Sequence, residues 1–184
     1  MAAEVTAIEP SDRAAETGEG RVEADHLVVA LGAEARPDLV PGLTEYGHDV
    51  WAFGGVARAT AALRAFEGGR LAVLVAGVPY PCPPAPYECA IHLHEHLLAR
   101  GLRYETELSV ATLPPMLMPN AGRKGSEWMG RQLDERAISY RVGARTERVE
   151  PGRVVLADGE IPFDLLITVP PHRAPHVVVD SGLA

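Results

Sequence analysis

The feature that most constrains the fold is a run of apolar residues, 71–76, followed by a helical pattern and a second strand pattern. A short, continuous apolar run is typical of a buried strand. Apolar side chains then recur at helical spacing over residues 86–100, and Gly101 ends that pattern. A further strand is predicted over residues 105–113. This order predicts a βαβ unit, in which a crossover helix joins two parallel strands.

The remaining patterns extend this unit in both directions. Strands are predicted over residues 4–8, 21–23, 26–31, 138–142 and 163–169, a hairpin over residues 145–149 and 154–156, and helices over residues 56–66 and 126–136. The run at residues 26–31 is mostly apolar and is ended by Gly32, which is typical of a buried strand. The fold class is therefore α/β, a Rossmann-like parallel sheet with crossover helices and a small antiparallel β-meander.

Composition excludes several classes of protein. The formal net charge of −8 argues against a nucleic-acid groove, which needs a basic stripe. No apolar run approaches the roughly 20 residues that cross a bilayer, and the acidic start lacks the basic region of a secretory signal. The chain has 2 cysteines, too few for a disulfide scaffold, which predicts a reducing, cytoplasmic setting.

The most informative segment is the proline-rich loop around Cys82, which reads YPCPPAPYE over residues 80–88. A dinucleotide pyrophosphate needs backbone N–H groups at such a strand-to-helix turn, and proline has none. Each proline fixes its φ, so the loop is better suited to holding one side chain rigidly. The dipole of the helix that follows favours a thiolate at Cys82. Glu88, in the first turn, either transfers protons to and from the sulfur or stabilises the helix.

Other cysteine and histidine patterns have simpler interpretations. His92 and His96 share one helix face at a spacing that can chelate zinc, but no third ligand is apparent, so a polar helix face is favoured and no metal is predicted. Cys89 lies within the predicted helix and is expected to pack there. A disulfide between Cys82 and Cys89 would close a short, stiff loop and stays an open alternative.

The cysteine loop resembles that of the sulfide:quinone oxidoreductases and flavocytochrome c sulfide dehydrogenases, within the pyridine nucleotide-disulfide oxidoreductase superfamily. Three further segments resemble the same proteins in the same order: DHLVVALGA at residues 25–33, VPGL at residues 40–43, and FDLL with VPPH between residues 163 and 172. The resemblance spans nearly the whole chain. It implies the central part of a flavoprotein that has two dinucleotide-binding domains.

The resemblance implies roles for individual residues. Cys82 matches the redox cysteine that carries sulfur beside the flavin, and Glu88 matches a glutamate with an acid–base role. Positions expected to approach FAD are Ala30, Gly32, Ala33, Pro171 and His172. It also implies three regions: residues 1–50 as the fringe of the FAD-binding domain, residues 51–142 as a pseudo-NAD(P)-binding domain with the cysteine loop, and residues 143–184 as a hairpin and strand returning toward the FAD domain.

The implied reaction is oxidation of sulfide or a related sulfur species, with electrons passing through the cysteine and FAD to a quinone. No nucleic-acid partner is implied, and a homo-oligomer is allowed. Membrane association is implied only through segments absent here, so a full-length protein would be cytoplasmic or peripheral at the inner face of the membrane. The Gly-rich turn that binds FAD in the family does not occur in the sequence, which predicts weak binding of FAD by this chain alone.

Two alternatives to this interpretation stay open, because the sequence lacks the Gly-rich turn of the family. The first is a non-catalytic remnant or a partner-dependent α/β binding module without its own cofactor. The second is an NAD(P)H-linked relative of the disulfide reductases, against which the proline loop argues.

Overall fold

The computed structural model describes residues 3–184, which divide into two compact units. The first comprises Met1–Glu34, of which residues 3–34 are described, and Arg173–Ala184; the second comprises Ala35–His172. Over residues 3–184 the strands are β1 (Val5–Glu9), β2 (Ala14–Thr17), β3 (Gly20–Glu23), β4 (Glu34–Ala35), β5 (His48–Asp49), β6 (Gly69–Val75), β7 (Thr106–Thr112), β8 (Ser139–Val142), β9 (Thr146–Glu150), β10 (Arg153–Leu156), β11 (Gly159–Pro162), β12 (Leu165–Val169) and β13 (His172–Arg173). The α-helices are α1 (Leu43–Tyr46), α2 (Phe53–Ala65), α3 (Ala85–Ala99), α4 (Gly122–Asp134) and α5 (His176–Asp180).

The first unit is built on the antiparallel meander β1-β2-β3, and α5 packs on β1. The hairpin arms predicted from sequence are confirmed. One side chain organises this meander: the Arg21 guanidinium is contacted, at 2.7–2.9 Å, by four carboxylates, those of Glu9, Asp12, Glu16 and Glu23. Four acidic side chains of the meander therefore surround one exposed arginine.

The buried strand predicted over residues 26–31 is wrong. The segment has no regular secondary structure, and Val28 is 84% exposed. A strand is stable only when its N–H and C=O groups find partners in neighbouring strands. Within residues 3–184 no strand pairs with this segment. The segment is apolar, but the described residues do not form the sheet that would bury it.

The second unit contains a five-stranded sheet in the order β5-β12-β6-β7-β8, and its pairings are all parallel. The predicted βαβ unit is confirmed, because β6 pairs with β7 from Gly69↔Thr106 to Val75↔Thr112 and α3 is the crossover. One face packs against α2, α3 and α4, and the other against the meander β11-β10-β9. Both faces of β6 are therefore covered, which explains its unbroken apolar run.

An ion pair joins the starts of β6 and β12. The Asp164 carboxylate accepts hydrogen bonds from the Arg70 backbone N–H at 2.8 Å and from its guanidinium at 2.9 and 3.0 Å. These bonds lower the pKa of Asp164 to about 2, so the carboxylate stays ionised at any ordinary pH.

Among the helices of residues 3–184, none combines the length and the apolar character that a membrane-spanning helix requires.

The cysteine loop as candidate functional site

The cysteine loop lies at the point where the order of the strands in the sheet reverses. It follows β6, whose neighbours are β7 on one side and β12 on the other. In open α/β sheets, ligands bind outside the carboxyl ends of the strands at such a topological switch point. The position of the loop is therefore the one that the fold favours for a functional site.

Cys82 is exposed and has a left-handed backbone conformation, with φ of +56°. A residue other than glycine adopts this conformation at a cost of roughly 1–2 kcal/mol, so the surrounding contacts must impose it. One such contact is the hydrogen bond that the Ala85 N–H donates to the Cys82 carbonyl, at 3.0 Å. The loop thus presents a thiol to solvent from a constrained backbone.

The first turn of α3 has no free donor for a phosphate group. The Ala85 N–H is bonded to the carbonyl of the cysteine, and Pro86 has no N–H. The N–H groups of Tyr87 and Glu88 both donate to the Pro84 carbonyl, at 3.0 and 3.1 Å. Anion sites at helix N-termini depend on unpaired N–H groups. The structure therefore supports the argument from sequence that this turn is unsuited to a dinucleotide pyrophosphate.

Glu88 lies in the first turn of α3 with an exposed side chain. Within residues 3–184 its carboxylate makes no hydrogen bond to Cys82 or to any other group. The acid–base role implied by the resemblance therefore stays a prediction.

The loop after β12 meets the cysteine loop, and this brings Pro171 and His172 to the site. The His172 N–H donates to the Pro79 carbonyl at 2.8 Å, and the His172 ring Nδ1 lies 3.0 Å from the Pro170 carbonyl. A side chain on Gly77 would lie 2.9 Å from Pro171, so glycine is needed for this close approach. His172 is only 6% exposed, so the two loops pack tightly.

The other positions expected to approach FAD lie in the first unit. Ala30, Gly32 and Ala33 are exposed and outside regular secondary structure. Gly32 has a φ of +70°, but a side chain there would meet no atom within 4 Å, so it does not form a cradle for a group. With the donors of α3 also occupied, the described residues do not by themselves fit the whole of FAD, whose pyrophosphate needs N–H donors.

Cys89 and its neighbours on α3 form a separate groove. Cys89, His92 and His96 lie beside Leu63 of α2, and both cysteines of the chain are free thiols, so no disulfide joins them. The described residues include no group of three potential ligands able to hold a metal ion. Burial raises the pKa of the Cys89 thiol to about 11, which keeps it neutral.

This shift predicts how stability depends on pH. The folded protein keeps the Cys89 proton up to about pH 11, whereas the unfolded chain loses it from its ordinary pKa upward. The unfolding free energy should therefore fall as pH rises above about 9, by up to about 3 kcal/mol from this group. Urea unfolding of the wild type and Cys89→Ala at pH values on both sides of this range measures the contribution. Equal pH slopes in the two proteins would contradict it.

The site also contains residues that the sequence did not single out. Gly77 is needed where the two loops touch, and Tyr80 folds back so that its hydroxyl lies 3.4 Å from the Pro83 carbonyl. The sequence carried only a weak signal for Gly77, a glycine at the end of a buried strand, and none for the hydroxyl contact of Tyr80.

A scan of the sequence against descriptions of protein families finds no match. An NADH dehydrogenase-like protein of Mycobacterium tuberculosis is 30% identical over 166 residues, which cover 87% of this chain and 41% of that protein. The sulfide-quinone reductase of Aquifex aeolicus is 26% identical over 188 residues, covering 95% of this chain and 43% of that protein. The chain thus spans about two fifths of the length of these curated relatives.

Solved structures show the same fold. The sulfide:quinone oxidoreductase from Aquifex aeolicus superposes with a TM-score of 0.82 at 23% identity, over 99% of this chain and 44% of the other. A FAD-dependent pyridine nucleotide-disulphide oxidoreductase from Desulfovibrio vulgaris superposes with a TM-score of 0.57 at 20% identity, over 98% of this chain and 46% of the other. The chain therefore has the fold that these two oxidoreductases share. The resemblance to sulfide:quinone oxidoreductases is confirmed.

Proposed function

We propose that this chain is the cysteine-bearing central part of a FAD-dependent oxidoreductase of the sulfide:quinone type. The observation that carries the proposal is the exposed, left-handed Cys82 at the switch point of the sheet. Similarity to the sulfide-quinone reductase of Aquifex aeolicus supports sulfide or a related sulfur species as substrate and a quinone as acceptor.

The chemistry of the thiol follows from its exposure. The Cys82 thiolate attacks a sulfur atom of a polysulfide, a new S–S bond forms, and the S–S bond within the polysulfide breaks. The leaving group is the polysulfide shortened by one sulfur, and Cys82 is left as a persulfide. No oxidant is consumed, because the step is an exchange. Glu88, one helical turn into α3, is proposed as the group that exchanges protons with the sulfur.

FAD is the proposed cofactor, and when bound it accepts two electrons from the sulfur centre. The related flavoproteins support this assignment. Pro171 and His172 are proposed to lie on the flavin side of the cysteine loop. Ala30, Gly32 and Ala33 are proposed separately as positions that contact FAD. Because the described residues do not form the phosphate site, we propose that most of the FAD contacts come from polypeptide outside these 184 residues.

A second candidate is an NADH-linked reaction, which is favoured by the similarity to the NADH dehydrogenase-like protein of Mycobacterium tuberculosis. The occupied donors in the first turn of α3 argue against nicotinamide dinucleotide binding at the cysteine loop. Calorimetric titration of the purified chain with NADH distinguishes the two candidate functions. Micromolar binding would favour the NADH-linked reaction over the proposal.

Persulfide formation tests the proposed sulfur chemistry without the cofactor. The reduced chain is incubated with polysulfide under anaerobic conditions, and thiols and persulfides are trapped by alkylation. Fragment mass spectra of the segment that contains both cysteines then locate the added sulfur. We expect it on Cys82 and not on the buried Cys89. An unmodified Cys82 would overturn the proposal and favour a non-catalytic binding module.

A further inference from the structure

The cysteine loop is short of backbone donors. Four of its six residues from position 79 to position 84 are proline, so only Tyr80 and Cys82 have a backbone N–H. The loop therefore cannot be held by a network of its own amide donors. It is held through its carbonyl groups, which accept hydrogen bonds from elsewhere.

Four of these carbonyls accept hydrogen bonds, and that of Pro84 accepts from the N–H groups of Tyr87 and Glu88. Pro79 accepts from the His172 N–H at 2.8 Å, and Cys82 accepts from the Ala85 N–H at 3.0 Å. The Pro83 carbonyl accepts from the Tyr80 hydroxyl at 3.4 Å. Within residues 3–184, the Tyr80 hydroxyl is the one side-chain group that donates a hydrogen bond to a carbonyl of residues 79–84.

The position of this contact matters because its two ends flank the cysteine. Tyr80 lies two residues before Cys82 and Pro83 one residue after it, so the hydroxyl closes a ring of chain around the exposed thiol. The unfavourable φ of +56° at Cys82 requires contacts that impose it. The half-buried aromatic ring of Tyr80 and the contact of its hydroxyl with the Pro83 carbonyl, here called the clamp, supply such a constraint.

The Tyr80 hydroxyl also remains a donor at any ordinary pH. Burial, with smaller electrostatic contributions from the neighbouring Tyr87 and Cys82, raises the pKa of Tyr80 to about 12. The clamp is therefore protonated under the conditions in which Cys82 reacts.

We infer that Tyr80 is a positioning residue that closes the cysteine loop and holds the Cys82 sulfur exposed for attack on a sulfur substrate. This inference rests on the proposed function for the identity of the substrate, but not for the geometry. Tyr80 does not itself exchange electrons or sulfur. Its contribution is to keep the left-handed backbone of Cys82 populated.

The test removes only the hydroxyl. Tyr80→Phe should lower the rate at which iodoacetamide alkylates Cys82 by about twofold, because a hydrogen bond at the weak end of the usual range shifts the loop equilibrium by that order. The matched control is Tyr104→Phe, which removes a hydroxyl from a residue that is 94% exposed. This control should leave the rate unchanged.

A spectroscopic measurement separates positioning from a general loss of structure. The three-bond coupling between the amide and α protons of Cys82 reports its φ, and in Tyr80→Phe it should move toward the values of negative φ. The unfolding midpoint and the slow alkylation of Cys89 should not change. An unchanged coupling and an unchanged Cys82 rate would overturn the inference.

The two proposals fail in different ways. Alkylation by iodoacetamide requires only an accessible thiol, so a response to Tyr80→Phe supports the clamp even if polysulfide leaves Cys82 unmodified. Persulfide formation at Cys82 that is unaffected by Tyr80→Phe would support the function and overturn the clamp.

Discussion

Replacing Cys82 by serine is expected to abolish persulfide formation on the chain after treatment with polysulfide. The rate of sulfur uptake should fall by a factor on the order of a hundred or more, because the nucleophile is lost. A serine hydroxyl does not attack sulfane sulfur. The remaining cysteine, Cys89, is a poor substitute, since burial raises its pKa to about 11 and thiolate is the reactive form. Mass spectrometry of trapped persulfides measures the effect.

The matched control is Cys89→Ser. It removes the other thiol of the chain and should leave sulfur uptake at wild-type level. Equal loss in both variants would indicate that neither position is specific and would contradict the assignment of Cys82. Circular dichroism of both variants shows whether the fold is kept, and since Cys82 is exposed we expect Cys82→Ser to fold normally.

Replacing Arg103 by methionine is expected to cause a large loss of stability, about 1–3 kcal/mol in the free energy of unfolding. Arg103 is 6% exposed, and within residues 3–184 its guanidinium pairs with no carboxylate. Its guanidinium instead donates to His94 Nδ1 at 2.7 Å and to the Thr106 carbonyl at 2.8 Å. It also donates to the carbonyls of Arg136 and Ala137, just beyond α4, at 2.6 and 2.8 Å.

The reason for this large effect is the number of acceptors left behind. Methionine fills much of the same volume but donates no hydrogen bond, so the His94 ring nitrogen and three backbone carbonyls lose their donor. Guanidinium unfolding followed by circular dichroism measures the change. The control is Arg123→Met, at a side chain that is 88% exposed, where a change within about 0.5 kcal/mol is expected. A similar result for both variants would contradict the argument.

The same cluster predicts a pH effect whose sign can be stated. Burial and the charge of Arg103 lower the pKa of His94, because Nδ1 accepts a hydrogen bond and must stay unprotonated. The unfolded chain therefore binds this proton at a higher pH than the folded protein. Stability is fully present above the ordinary histidine pKa and is lost as pH falls below it. The slope of the unfolding free energy against pH, below the ordinary histidine pKa, should be smaller in Arg103→Met than in the wild type.

Local patterns in the sequence were sufficient for most elements of the second unit. The apolar run of β6, the amphipathic pattern of α3 and the strand pattern of β7 each depend on residues within one element. Hydrophobic periodicity reports this kind of information directly. The cysteine loop was found for the same reason, since prolines at fixed positions act through the local backbone.

The failures concern contacts between distant segments. The run at residues 26–31 is apolar whether or not neighbouring strands exist, so its pattern could not show that the segment would be exposed. Arg103 looks like an ordinary surface arginine in sequence, and only the fold brings it to partners such as His94 and the Ala137 carbonyl, 9 and 34 residues away along the chain.

The sequence by itself determined the α/β class, the order of strand, loop and helix around Cys82, and the absence of a glycine-rich phosphate turn. These properties depend on side-chain periodicity and on the missing N–H of proline, which are local. Only the tertiary structure decided that the loop after β12 meets the cysteine loop through His172 and Pro79, and that a tyrosine hydroxyl closes the chain around the thiol. Such contacts depend on hydrogen bonds between groups that the fold brings together, and sequence spacing does not encode their geometry.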